Sequence, residues 1–413
     1  MFIILPSASD YAQALGGNSV FAGLIIGITS LFAGIAIPGL MAIDKGTYMG
    51  PVIFSCILAT IGNVLYGLAY IANFLWLVFI GRCVTGIGLV SFLYTKRYCT
   101  DSRIIGVRRR ASVSAWLVVG QNVGFTLGPF LGGLLYKVGF HNDVFNGYTG
   151  PGWVMAVCWV TFLGVIVAAF EDVPSLRPTV SSTSAHATRR SNRTTGIVIE
   201  IDEAGVSSSD DEPFVTTWRT YALIFTMSWI AMTCFFVVGA WQSSIAPYTS
   251  LHFNWSPFAA GNFMALGGLC TFPFLFLNLY YARRMQDRYI LAYGCGTGAA
   301  GLVLMMLIVG IGGEKEITFG SFFVCWWLVA LGFSVATTAT VSLLSKQMPQ
   351  RWNGRLSMAI QYGNYIGRVC GTVWGGAVLN VGLLKNVGVD LAVAGVGIIL
   401  VVVLWRDMKS KVG

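Results

Sequence analysis

The chain has 413 residues, of which 55% are hydrophobic and only 10% charged, with a formal net charge of +9. Soluble globular proteins carry about 25% charged residues, so this composition, with a mean hydropathy of +0.72, excludes a soluble enzyme or a nucleic-acid-binding domain. A membrane-crossing helix needs about 20 apolar residues, which leaves room for about a dozen crossings, and the sequence lacks the short alternating strands of an outer-membrane barrel.

Apolar segments fall near 1–15, 20–43, 50–72, 74–96, 112–136 and 152–170. A polar stretch follows, and further apolar segments lie near 220–246, 255–281, 288–311, 318–344, 356–381 and 389–405. The expected architecture is all-α and polytopic with twelve spans: a six-helix half over 1–170, a linker over 171–218 and a second six-helix half over 219–413. The first segment, at about 15 residues, is short for a crossing, so the first span reads as truncated or as a divergent start. It lacks the basic flank and cleavage site of a secretory signal.

Loop charge sets the expected orientation. Twenty-one Lys and Arg residues fall on one side, from Lys45, Lys96, Arg97 and Arg108 through to Lys411, against Lys137, Lys315 and Lys385 on the other. An excess of this size marks the cytoplasmic side, which places the linker and the C-terminus there. The linker, rich in Ser, Thr and charge, is expected to be disordered. Its Ser207-Ser208-Ser209-Asp210-Asp211-Glu212 stretch reads either as a phosphorylation site or as plain solvated tether.

The nine cysteines are scattered without a CxxC, and His141, His186 and His252 are expected in loops. No metal or other cofactor site is therefore anticipated. No Walker A sequence and no nucleophile–base set occurs, so neither ATP-driven pumping nor an enzyme is expected.

Charge inside a bilayer is costly and rare. Three ionisable residues lie within the spans: Asp10 in the first, Arg82 in the fourth and Arg368 in the eleventh. Arginine stays protonated and grips a carboxylate or phosphate through paired hydrogen bonds. If all three groups face a common cavity, its net charge is positive, and an anionic or zwitterionic cargo is favoured. Arg82 could equally bond helix carbonyls at an interhelical contact. Asp10 reads as an exposed interfacial carboxylate, a salt-bridge partner or a proton-coupling site. Gln121, Gln361, Tyr362 and Trp241 complete the substrate-binding candidates; Asn122, Gln242, Asn262 and Asn364 lie at compatible depths as well, and Gln121 and Asn364, equivalent in the repeat, favour a scaffold role as a pair. Asp390 is placed near the entrance of the last span, outside the deep set.

The two halves repeat. Gly120-Gln121-Asn122-Val123-Gly124, continuing to Gly128-Pro129 and Gly132-Gly133, returns 243 residues later as Gly363-Asn364-Tyr365-Ile366-Gly367, Gly371 and Gly375-Gly376. Arg368 then corresponds to Phe125. Glycines at every fourth position share a helix face and allow close approach in lipid, so the ladders are expected to form the close sliding contacts of the two halves. Two parallel six-helix repeats about an axis along the membrane normal suit a transporter that rocks around a central site.

At this point the sequence resembles the major facilitator superfamily over nearly its whole length. Gly124 to Gly133 fits its span-5 pattern GxxxGPxxGG, and Gly81-Arg82 with Gly86-Ile87-Gly88 resembles its span-4 pattern. The loop signature between spans 2 and 3 is degraded, with Gly39, Asp44 and Lys45 surviving. Within the superfamily, Lys96-Arg97-Tyr98, Arg110-Ala111-Ser112 and Trp255-Ser256-Pro257 resemble the branch of SPX-linked vacuolar phosphate transporters and related lysosomal carriers. The resemblance implies a multi-pass secondary transporter in a vacuolar, lysosomal or other endomembrane. It implies a small-molecule substrate, protons as candidate coupling ion, no nucleic-acid partner and a monomer in the bilayer. Asp44 and Arg108 are the gating candidates. The reading from another class is a non-transporting receptor or scaffold that signals through the linker.

Overall fold

The structure, a computed structural model, describes residues 2–43, 47–100, 107–139, 142–170, 218–281, 285–347 and 353–409. Its helices follow the apolar segments. A single 3₁₀ turn at Phe2–Ile4 leads into α1 (Ala8–Ala14), followed by α2 (Ser19–Ile43), α3 (Met49–Leu68), α4 (Leu75–Gly88), α5 (Ser91–Thr100), α6 (Val107–Val138) and α7 (Gly150–Ala169). The second half runs through α8 (Trp218–Phe253), α9 (Pro257–Tyr281), α10 (Asp287–Gly312), α11 (Phe319–Gln347), α12 (Asn353–Gly376), α13 (Val378–Val381) and α14 (Leu383–Val403). The fourth span is thus broken into α4 and α5, and the eleventh ends in the short α13, separated from α14 by Gly382. Asp44 and the linker lie outside the described residues. Arg108 opens α6.

Among the described residues, nine helices are long and apolar enough to cross a membrane. The α12 helix is not among them, because it carries Gln361, Asn364 and Arg368. Those groups are tolerated because α12 lies between α8 of its own half and α2 of the other.

The repeat is visible in the packing. In the first half α3 crosses α4, where Gly81 abuts the Gly62 carbonyl; in the second, α10 crosses α11, where Gly332 abuts Gly294 and Gly298. The halves meet along two seams, α2 with α12 and α6 with α9. Both are tight at the face away from the basic loops, and the α2–α12 seam stays close as far as Gly34, which meets Tyr362 and Tyr365. At that face Gly23 and Gly376 meet at one seam, and a Cβ on Gly261 would fall 2.5 Å from the Pro129 carbonyl oxygen at the other. Lys137 caps the second seam, its ammonium 4.6 Å from the Phe258 ring centre.

The glycine ladders do not form these seams, contrary to the sequence expectation. Gly363, Gly367, Gly371 and Gly375 all turn toward α8 of the same half, each against a backbone carbonyl of Ser228, Met232, Phe236 or Ala240. In the first half Gly128 and Gly132 likewise pack on Phe2 and Ile3 of the first span. Gly124, expected in the same contact, meets nothing within 4 Å. Only the last glycine of each ladder faces the other half, Gly133 toward Phe258 and Gly376 toward Ser19. The ladders therefore hold each half together, because a backbone-to-backbone contact supplies dispersion energy that hydrophobicity does not supply within lipid.

Two substitutions separate these roles. Gly371→Ala places a Cβ on the Phe236 carbonyl and is expected to destabilise by about 1–3 kcal/mol through overpacking. Gly124→Ala enters open space and is expected to be neutral or slightly stabilising, since Ala favours a helix over Gly by about 1 kcal/mol. Thermal unfolding of the purified protein in detergent checks both.

Candidate functional site

Arg82 projects from the middle of α4. Seven residues of helix separate it from Leu75, or roughly 10 Å at 1.5 Å per residue. Arg368 stands eight residues before the end of α12 at Gly376, or roughly 12 Å from the same face. The two guanidiniums, one from each half, thus lie at one level and within electrostatic reach of each other. Their side chains are almost wholly withdrawn from solvent, at 1% and 5% exposure.

Each has neutral partners. Arg82 Nε donates to the Ile25 carbonyl of α2 at 3.3 Å, so the interhelical role weighed from sequence is real. Its other neighbour is the Tyr66 side chain of α3. Arg368 Nη2 donates to Gln242 Oε1 of α8 at 3.1 Å, and its guanidinium lies 4.8 Å from the Phe2 ring centre. The same ring meets Phe125 in an edge-on arrangement, centres 5.2 Å apart. The repeat-equivalent positions 125 and 368 therefore touch one ring of the first span.

Three buried polar groups here have no hydrogen-bond partner: Arg82 Nη2, Arg368 Nε and the Tyr66 hydroxyl. Buried polar groups are normally paired, and a missing partner costs about 1–3 kcal/mol, more for a charge. These groups are well suited to a ligand that presents oxygen acceptors.

The remaining sequence candidates are distributed differently. Trp241 does not join Arg368. Its ring stacks on Phe322 and Trp326 within the second half, centres 5.8 and 6.1 Å away. Successive helix residues diverge by about 100°, so the neighbouring Gln242 takes the place at the arginine. Tyr362 donates to the Gly34 carbonyl at 3.2 Å, and Gln361 pairs with Tyr365; both positions serve the α2–α12 seam, more than a helical turn from Arg368. Gln121 is half-buried on α6 and hydrogen-bonds to neither arginine. Asp10 faces the Tyr136 hydroxyl of α6 beside a tyrosine cluster, Tyr148 stacking on Tyr11 and Tyr70, and is not paired with an arginine among the described residues. Pro129 belongs to the α6–α9 seam. His252 is not in a loop: α8 continues through Pro247 to Phe253, and His252 Nε2 lies 3.0 Å from Glu314 Oε2.

The sequence profile of the Major Facilitator Superfamily matches residues 1–372. The chain belongs to this superfamily. An uncharacterized MFS-type transporter of Schizosaccharomyces pombe is 29% identical, with 99% of this chain and 79% of that protein covered. A rice SPX domain-containing membrane protein is 27% identical over 96% of this chain, which spans 57% of that protein. Among solved structures, a bacterial homologue of the human lysosomal transporter Spinster, in an inward-facing and occupied conformation, superimposes with TM-score 0.69 at 12% identity, covering 100% of this chain and 95% of that one. A bacterial homologue of the iron transporter ferroportin, inward-facing, gives TM-score 0.63 at 15% identity, covering 97% and 96%. At such identities the structural likeness establishes the fold. This is an integral, multi-pass membrane protein of a transporter superfamily whose fold supports transport by alternating access.

Gln242 supplies the side-chain acceptor for Arg368 Nη2. Gln242→Leu is expected to lower stability by about 1–3 kcal/mol by stripping a buried charge of its acceptor. Gln242→Glu is expected to recover or exceed wild-type stability. Thermal midpoints in detergent distinguish the two.

Proposed function

We propose that this chain is a secondary transporter of a small anionic or zwitterionic solute, bound between Arg82 and Arg368. The observation that carries the reading is the set of three orphaned donors, Arg82 Nη2, Arg368 Nε and Tyr66 Oη, buried around two like charges contributed by opposite halves. Two guanidiniums in a space of low polarity repel, and a bound carboxylate or phosphate converts that repulsion into two attractive, charge-assisted contacts.

On this reading the basic face is cytoplasmic, and the arginines lie nearer the opposite face. An endomembrane setting, vacuolar or lysosomal, goes with the resemblance to the SPX-linked branch. Family and fold support the rocking of one half against the other. The α2–α12 and α6–α9 seams are the surfaces that would move.

The test is uptake and counterflow in proteoliposomes against a panel including inorganic phosphate, dicarboxylates and amino acids. Arg368→Gln is expected to reduce transport of the accepted solute by roughly ten- to a hundredfold, the equivalent of about 1.5–3 kcal/mol for a charged hydrogen bond. Arg82→Gln is expected to act in the same direction. Gln242→Glu, which supplies Arg368 with an internal anion, is expected to compete with cargo and abolish flux while preserving the fold. Wild-type transport by Arg368→Gln would overturn the anion-clamp reading.

A further inference from the structure

Asp390 takes no part in the site described above. It stands seven residues after Leu383, the first residue of α14, so it is roughly 10 Å into that helix rather than at its entrance. The sequence expectation misplaced it by starting the last span near 389. No part of the residue reaches solvent, at 0% exposure, and neither carboxyl oxygen has a full hydrogen bond. The Trp241 indole N–H is directed at the carboxyl but falls short of hydrogen-bond geometry.

Among the described residues, no cation on the helices packed against it compensates it. The helices packed on α14 are α8, α10 and the short α13. On α8 the charged or chargeable residues are Arg219 and His252, at its two ends. On α10 they are Asp287 and Arg288, in its first turn at the opposite face. The α13 segment, Val-Leu-Asn-Val, has none. Lys385 of α14 itself is exposed. The weakly acidic groups in these buried surfaces are Cys234 and Tyr248 of α8 and Cys295 of α10, none of which supplies positive charge. An unpaired buried carboxylate costs several kcal/mol, far more than a buried neutral acid with one weak donor nearby. The surroundings accommodate the neutral form.

The carboxyl is also mechanically tied to the arginine site. Trp241 and Gln242 are consecutive on α8, the first directed at Asp390 and the second bonded to Arg368. A displacement of α8 against α14 that lets water reach Asp390 therefore moves the acceptor that holds Arg368.

We propose that Asp390 is a proton-binding site of the carrier, protonated in the conformation described here and deprotonated when α8 and α14 part. In that step the carboxyl O–H bond breaks and the proton passes to water on the side then open. The electron pair stays on the carboxylate, and reprotonation precedes closure. The inference rests on the transporter reading and places an ion-coupling acid in the second half, in addition to the Asp10 candidate of the first.

Infrared difference spectroscopy on the full chain in lipid tests it without any cargo. At neutral pH the wild type is expected to show a protonated-carboxyl C=O band that disappears reversibly on alkaline titration. The band is expected to be lost in Asp390→Asn, displaced in Asp390→Glu, and retained in Asp10→Asn and Arg368→Gln. Should Asp390→Asn fail to fold, displacement in Asp390→Glu makes the assignment. A wild type without the band, a band unchanged in the Asp390 variants, or one that resists titration as a permanently protonated structural acid would each overturn the proposal. Because no solute is needed, such a failure is separate from a failure of Arg368→Gln to impair transport.

Discussion

Two guanidinium groups, one from each half and within electrostatic reach of each other, almost wholly withdrawn from solvent, set the terms on which the halves meet. Both Arg82 and Arg368 rely on neutral partners, a backbone carbonyl, a glutamine amide and a phenylalanine face. None of these cancels charge. The approach of the halves at this level is therefore opposed by like-charge repulsion, with the packing of the seams working against it. A ligand carrying negative charge acts on the same balance in favour of closure, and only its differential affinity for the closed and open arrangements can shift the population between them. Charge, packing and conformational choice are joined at one place.

Packing elsewhere depends on small residues, and the division of labour is clear. Within each half, backbone lies on backbone: Gly367 on Met232, Gly371 on Phe236, Gly132 on Ile3. Between halves, small residues meet at one end of the α2–α12 seam, and farther along it side chains such as Tyr362 reach across to the carbonyl of Gly34. Each half is thus a closely keyed unit, and the surface between them is the part of the molecule with fewer interlocking contacts.

The positions of the spans, the pairing of the halves and the two arginines could all be read from the residues, because each rests on a strong one-dimensional signal. Runs of apolar residues give lengths, glycine spacing gives the repeat, and a lone Arg in an apolar run stands out through its cost. Orientation about a helix axis has no such signal. Trp241 and Gln242 are neighbours, and only the packed structure decides that the amide faces Arg368 while the indole stacks on Phe322. The ladder of α12 likewise announces a close contact without naming α8 as the partner. Tyr66 lies in an ordinary apolar segment and gave no cue. Asp390 and His252 were misplaced for a common reason: α14 begins earlier and α8 ends later than hydropathy suggests.

The meeting of Gly23 with Gly376 has a mechanical corollary. Where main chain lies on main chain at that point, the two rods have no compressible layer to shear and no ridge to ratchet over. Such a joint resists sideways slip but permits a change of angle. The α2–α12 crossing is then suited to be the fulcrum of the molecule, with the largest excursions at the ends of the rods farthest from it, under the basic loops.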